Sequence, residues 1–175
     1  MKKTVLTFGL ISGAISAVMM LATVPFVDKI GFEKGAIIGY TTFVLTGLLI
    51  FFGIRSYREN VSGGRLTFWR GVAVGILILL ISNLCYAVTW EIAYFKFMPD
   101  FMDKYTAHTI EKAKASGASQ ETIDKKTREL QQFKEMYKNP AINAALAFAE
   151  PIPVGLGITL LSAAVLRRKA ARQAA

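Results

Sequence analysis

The sequence predicts an all-α integral membrane protein with four transmembrane helices in a bundle. The 175 residues are 53% hydrophobic and only 19% charged, whereas a soluble domain of this length carries more charge. The apolar residues fall into four long runs. Each run has about 20 residues or more, which as a helix crosses roughly 30 Å of hydrocarbon. Basic residues gather in the segments on one side of these runs.

The four predicted spans form one membrane domain over residues 1–175. The first run follows two lysines and superficially resembles a secretory signal. Its apolar stretch is too long for that, and no clear A-x-A site follows, so we expect this helix to be retained. The spans cover about 4–27, 35–54, 71–94 and 140–166.

The charged segment between spans three and four, about 99–139, predicts an extracytoplasmic helical hairpin. Phe101, Tyr105 and His108 share one helical stripe. Gly117 suits the position after a helix end, and Ser119 suits the N-cap of the next helix. Asn139-Pro140 then ends the second helix before span four.

The charge pattern predicts the orientation. The net charge is +9, and the strongly basic segments all lie on one side if the chain crosses four times. The positive-inside rule makes that side, with both termini, the cytoplasmic side of the membrane. Anionic headgroups account for this charge, so we expect no nucleic-acid partner. The basic residues are Lys2, Lys3, Arg55, Arg58, Arg65, Arg70, Arg167, Arg168, Lys169 and Arg172.

Several residues at the ends of the spans are candidates for interfacial anchors. Aromatic rings and arginines next to an apolar helix favour the headgroup level. The Gly-Gly-Arg sequence in the same loop lacks the spacing and the lysine of a phosphate-binding loop. The anchor candidates are Trp69, Trp90, Arg55, Arg58 and Arg70.

Small residues recur every four positions in the first two spans. Gly9, Gly13 and Ala17 do so in span one, and Gly35 and Gly39 in span two. This spacing lets helix backbones approach closely. Two alternatives remain for span one, namely packing inside the chain or a homo-oligomer face.

Polar residues inside the apolar runs are the candidate site. An ionisable group at membrane depth is costly and usually faces a partner, a cavity or a pathway. Counted from the cytoplasmic arginines, Glu91 is about 31 Å and Glu150 about 25 Å along a straight helix, both toward the outer leaflet. Pro151 and Pro153 follow Glu150, so freed carbonyls there could line a polar cavity. The candidates are Glu150, Glu91, Asn143 and Asn83.

Three interpretations of the two glutamates stay open. They are structural, they handle protons or a cation, or they serve an enzyme as acid, base or metal ligands. The last is the weakest, because no familiar catalytic motif occurs and His108 and Cys85 are the single residues of their types. We therefore predict no catalytic residue, no metal and no cofactor, and an enzyme is the less favoured class.

Specific strings over nearly the whole chain resemble a known family. They include FFGIRSYREN, TFWRG, VTWEIAYF, MPDFMDKY, QFKEMYKNP and EPIPVGLGITLLSA. They resemble the bacterial membrane family catalogued as a domain of unknown function, DUF4199. The resemblance implies a four-helix integral membrane protein and brings no activity, substrate or site residue.

The leading functional hypothesis is a noncatalytic scaffold or interaction protein in the lipid bilayer, with the outer hairpin as the surface that contacts a protein partner. The alternative is a small proton- or cation-linked transporter or channel subunit that uses Glu91 and Glu150. A transport path would need oligomerisation or a partner, because four helices bury little interior. The candidate face for a homo-oligomer is Gly9, Gly13 and Ala17.

Overall fold

The protein is helical over nearly all of residues 1–168, the part that the computed structural model describes. Within this part there is no strand, and the one extended pairing is an antiparallel bridge between Leu66 and Arg168. The all-α prediction is therefore confirmed. Lys169 and Arg172, which entered the charge argument, lie outside the described residues. The helices are α1 Lys2–Thr23, α2 Val27–Asn60, α3 Phe68–Ile92, α4 Phe101–Ala115, α5 Gln120–Tyr137, α6 Pro140–Ala149 and α7 Ile152–Leu166.

Three helical segments are long and apolar enough to cross a membrane. They are Lys2–Asn60, Phe68–Phe97 and Pro140–Leu166. Their length and composition are those of membrane-spanning helices. A turn of π-helix at Ala93–Phe97 extends the second segment, and a 3₁₀ turn at Val24–Phe26 interrupts the first.

The first of these segments has 59 residues and is not one straight rod. Pro25 lies in the 3₁₀ turn, and Gly31 has a non-helical backbone with φ of 74°. Glycine adopts this conformation without steric cost because it has no Cβ. The charged stretch 28–34, expected as a loop, is therefore helical on both sides of Gly31. α1 and α2 pack against each other across this turn.

Local sequence signals set the helix ends between α4 and α6. α4 ends in a Schellman motif at Gly117, where the Ala118 N–H donates to the Ala113 carbonyl at 3.2 Å. The Ser119 side chain accepts from the Thr122 N–H and begins α5. The Asn139 side chain caps α6 by accepting from the Ala141 N–H, and the proline at position 140 has no N–H that would need an acceptor. These signals act as expected.

The main apolar core lies at one end of the bundle, which we call the base. The base is the end that holds the amino terminus, the 61–67 loop and the end of α7. There α7 packs against both α2 and α3, and α1 packs against α3. The opposite end, where α4 and α5 lie, is the α4–α5 end. The core residues of the base are Val5, Ile50, Ile54, Tyr57, Leu66, Val74, Ile78, Leu79 and Leu166.

The glycines of α1 are used inside the chain. A Cβ placed on Gly13 would lie 2.6 Å from Cys85 Cβ, and one on Gly9 would lie 2.8 Å from Ile81 Cβ. These contacts hold α1 against α3, so this face is covered by the chain itself. Gly35 and Gly39 differ, because a Cβ on either would meet no atom within 4 Å. The expected close approach does not occur at these two positions.

Candidate ligand-binding cavity

A cavity of about 520 Å³ lies at the α4–α5 end of the bundle. Its walls come from α1, α2, α3 and α6, and α4 and α5 cover it. Its size falls within the roughly 300–1,000 Å³ typical of small-molecule sites. The lining is mostly apolar and aromatic, with a few polar groups. The aromatic lining residues are Phe32, Tyr40, Phe43, Tyr86, Trp90, Phe101, Tyr105, Phe133 and Tyr137.

Glu150 reaches this cavity from the end of α6. Its Oε2 accepts a hydrogen bond of 3.0 Å from the Tyr86 hydroxyl of α3. The Tyr86 ring packs edge-on against Phe43 at 5.1 Å between centroids, and Phe43 packs against Tyr40 at 5.9 Å. Glu150 is the one charged residue among the described residues that line the cavity. Glu150, which is exposed, therefore places a carboxyl group at the wall of an apolar and aromatic cavity, with a neutral hydrogen-bond donor beside it.

The break between α6 and α7 places Glu150 there. α6 ends at Ala149 and α7 begins at Ile152. Prolines at 151 and 153 remove two helix donors at this point. The Asn83 side chain donates to the Phe148 carbonyl at 3.0 Å, so a side chain of α3 supports the backbone at the break. Beyond the break the partners change, because α6 packs against α3 and α5 whereas α7 packs against α2 and α3.

Asn143 joins three helices at this end of the bundle. It is fully buried, accepts from Trp90 Nε1 at 2.8 Å, and donates to the Tyr137 carbonyl at 3.2 Å. These bonds tie α6 to α3 and to the end of α5. Trp90, expected as an interfacial anchor, thus lines the cavity and donates its N–H inside the protein.

The structure does not join the two glutamates. Glu150 pairs with Tyr86, whereas Glu91 is absent from the cavity lining within residues 1–168. One carboxylate oxygen of Glu91 is buried without a hydrogen-bond partner. The two carboxyl groups therefore belong to different environments on α3 and α6.

A second, much smaller cavity lies deeper in the bundle, next to the first. Its volume is about 20 Å³, and it shares Ser16, Phe43 and Tyr86 with the large cavity. This is about the size of one water molecule. Ser12 bonds to the Ser82 hydroxyl at 3.0 Å and to the Thr46 carbonyl at 3.2 Å along its wall.

Sequence analysis missed these hydroxyl groups. Ser12 and Ser16 are four residues apart, as are Thr42 and Thr46, and all four are buried. Positions four apart share a helix face. Hydroxyl residues at this spacing in apolar helices were the available signal.

The base of the bundle is closed by hydrogen bonds as well as by apolar packing. The Arg58 guanidinium donates to the Leu166 carbonyl at 3.3 Å, and Arg70 Nε donates to the Tyr57 hydroxyl at 3.1 Å. The Leu66–Arg168 bridge joins the 61–67 loop to the end of α7. Of the other predicted anchors, Arg55 pairs with Glu59 on the surface, and Trp69, in the first turn of α3, is 75% exposed.

Helix α4 is held over the turn between α1 and α2. Phe32 packs against Phe101 and Tyr105 at 5.5 Å and against His108 at 5.3 Å between ring centroids. The predicted stripe of α4 is therefore covered by the chain's own α2.

Three ion pairs accompany this packing, namely Lys104–Asp28, Lys112–Glu33 and Lys134–Asp103. The hydrogen bond from Lys112 lowers the pKa of Glu33 below its ordinary value. Hydrogen bonds with Asp28 and Asp100 raise the pKa of Lys104. No cluster of His, Cys, Asp and Glu that could hold a metal ion occurs within residues 1–168.

Comparison with known proteins identifies the family. The family model described as "Protein of unknown function (DUF4199)" matches residues 7–168, and the chain belongs to this family. No curated protein and no solved structure matches the chain. The description of the family names no activity, so the cavity is the feature that points to a function.

Proposed function

We propose that this chain is a four-span protein of the bacterial inner membrane that binds a small, mostly apolar molecule in its large cavity and catalyses no reaction on it. The observation that carries the proposal is the cavity of about 520 Å³ with the Glu150–Tyr86 pair on its wall. Apolar walls with a few polar groups that fix orientation are the usual design of a small-molecule site.

The four-span topology rests on length and charge. A straight helix of 59 residues would be about 88 Å long, nearly three times the hydrocarbon thickness. The Val24–Phe26 turn and the lateral packing of α1 on α2 fit two crossings instead of one. The basic 55–70 segment then shares the cytoplasmic side with both termini, and α4 and α5 form an extracytoplasmic hairpin.

This topology is tested with single cysteines. Ser62→Cys and Ser119→Cys are made separately in a Cys85→Ala background and treated with a membrane-impermeant maleimide. We expect Ser119→Cys to react in intact spheroplasts and Ser62→Cys to react only after permeabilisation. Reaction of Ser62→Cys in intact spheroplasts would contradict the orientation.

A binding function is favoured over a scaffold role because the apolar stripe of the hairpin packs inside the chain. The Phe101, Tyr105 and His108 stripe of α4 packs on Phe32 of the same chain. A scaffold surface there would be left with the charged side chains of α5. The cavity, by contrast, has an apolar lining and a polar anchor that are accessible together.

Transport through Glu150 is a second candidate. One observation favours it, namely the hydroxyl-lined small cavity that continues from the large one toward the bundle centre. The apolar base lies beyond it, as in a carrier open to one side. Glu150→Gln would then abolish proton or cation flux in liposomes, whereas flux equal to that of the wild type removes this candidate.

The binding proposal has a built-in optical reporter. The chain has two tryptophans, so Trp69→Phe leaves Trp90, which lines the cavity. In that background we expect the neutral probe 1-aminoanthracene to change Trp90 emission saturably. Gly39→Leu should abolish the change, because the new side chain projects into the cavity.

Gly157→Leu is the matched control. A Cβ at Gly157 also meets no atom within 4 Å, and Gly157 does not line the cavity. It should therefore leave the signal intact. A signal that survives Gly39→Leu, or no saturable signal in the parent protein, would contradict binding in this cavity.

A further inference from the structure

We propose that the ligand of the large cavity is a lipophilic organic cation, whose charged centre lies against Glu150 and whose apolar groups contact the aromatic walls. This inference rests on the proposed function and specifies the chemistry of the same site. It depends on three properties of the lining, which are its charge, its rings and its mouth.

The first property is an unbalanced negative charge. The described lining holds Glu150 and no Lys, Arg or His. The single hydrogen bond that the described residues give the carboxylate comes from the neutral Tyr86 hydroxyl. A carboxylate among apolar groups is costly unless a proton neutralises it or a positive charge pairs with it. A cationic ligand supplies the missing charge, whereas an anion of equal size is repelled.

The second property is the presence of two aromatic clusters in the wall. Tyr40, Phe43 and Tyr86 form one cluster beside Glu150, with neighbouring centroids 5.1 and 5.9 Å apart. Trp90 and Phe101 belong to the other, under α4, at 5.3 Å. Ring faces attract organic cations and also bury their apolar substituents. A small hydrated metal ion would leave most of this surface unused.

The third property is the mouth of the cavity. A neighbouring cavity of about 290 Å³ shares Phe32 and Phe101 with the large one and opens among charged side chains. Its lining contains Asp28 and Asp100, whose carboxylates lie 2.7 and 2.9 Å from the Lys104 ammonium group. His108 lines this cavity too. With the histidine neutral, two carboxylates outnumber one ammonium group, and this excess of negative charge favours entry of a cation.

The experiment compares two ions of matching shape and opposite charge. Tetraphenylphosphonium and tetraphenylborate are titrated into the purified full-length Trp69→Phe protein in detergent, with Trp90 emission as the reporter. We expect the cation to bind at least tenfold more tightly than the anion. Glu150→Gln should weaken cation binding at least tenfold, and Glu91→Gln, outside the cavity, should leave it unchanged.

The outcomes separate the two proposals. Equal affinity for both ions would overturn the cation inference while leaving cavity binding in place. Cation binding that is unaffected by Glu150→Gln would overturn the role of Glu150. Failure of neutral 1-aminoanthracene as well as both ions to bind would overturn the proposed function itself. The comparison of the two ions is made on the protein that retains Glu150. The test therefore stays decisive even if Glu150→Gln folds poorly.

Discussion

The two halves of α2 both contain glycines but have different surroundings. Toward the base, the helix buries Thr46, Gly47, Ile50, Gly53 and Ile54. A Cβ on Gly53 would lie 2.4 Å from the end of Ile78 and 3.2 Å from Phe8. Toward the α4–α5 end, no residue before Thr42 is buried, and Gly35 and Gly39 border the cavity.

This difference shows that the spacing of small residues permits close packing without ensuring it. Both halves carry glycines that let another helix approach. Near the base, Ile158 of α7 packs on Gly47, and Ile78 of α3 and Phe8 of α1 pack on Gly53. At the other end, the segment before Pro151 is α6, which packs against α3 and α5. The second half of α2 is left with a cavity, and its glycines enlarge that cavity.

The largest expected effect tests this comparison directly. Gly53→Val should lower the free energy of unfolding by roughly 1–3 kcal/mol, because added methyl groups overpack a filled interface. Gly35→Val, in the same helix and facing open space, should change it by less than about 0.5 kcal/mol. Both are measured by thermal unfolding of the purified protein in detergent. Equal losses in the two variants would mean that the halves are packed alike.

A similar loss, by a different mechanism, is expected at Asn143. Asn143→Ala removes the acceptor of Trp90 Nε1 and the donor to the Tyr137 carbonyl. Leaving a buried polar group unpaired costs about 1–3 kcal/mol. The same unfolding assay should show this loss, accompanied by altered Trp90 emission.

Asn60→Ala is the control for that change. Asn60 is exposed and bonds to Ser56 on the surface of α2, so its replacement should leave stability unchanged. A loss confined to Asn143→Ala would sharpen the comparison, since polar ties hold the α4–α5 end where apolar packing holds the base. Wild-type stability in Asn143→Ala would contradict this account.

The smallest expected effect concerns the ion pairs of α4. Lys104→Gln combined with Lys112→Gln should speed amide hydrogen exchange in α4 and leave α1 and α3 unchanged. The matched control is Lys125→Gln on α5, whose nearest carboxylate, that of Glu129, is 4.0 Å away. The pairs are exposed and screened by salt, so the difference should shrink at high ionic strength. An equal exchange rate in α4 of the double variant and the wild type would show that these pairs do not hold the helix.

The pH dependence of α4 exchange follows from Glu33. The hydrogen bond from Lys112 lowers the pKa of Glu33. The stabilisation of α4 by this ion pair is therefore fully present above the ordinary carboxyl pKa of 4.5. It is lost as the pH falls through the lowered pKa of Glu33. Exchange in α4, corrected for the intrinsic rate, should therefore begin to rise only at acidic pH, and the double variant should show a weaker dependence.

The sequence predicted features that depend on neighbours along the chain. Helix α4 ends at Gly117, and α5 and α6 begin at Ser119 and Asn139, as expected. Capping is predictable because it involves residues within a few positions of each other. The long apolar runs predicted membrane-length helices for a similar reason. The sequence did not predict which side chains of different helices contact each other. Glu150 shares a stripe with Asn143, yet Asn143 bonds to Trp90 and Tyr137, and Glu150 bonds to Tyr86.

By itself the sequence determined that the chain is all-α with helices long and apolar enough to cross a membrane, where several of its helices end, and that Glu150 lies beside a helix break. Hydropathy, charge and proline act locally or along one helix, so their effects can be recognised from the sequence alone. The tertiary structure alone decided that Glu150 meets Tyr86 in an aromatic cavity, that Glu91 lies elsewhere, and that Gly35 and Gly39 face open space. Those outcomes depend on which helix faces which, and they follow from the change of partners between α7 and α6.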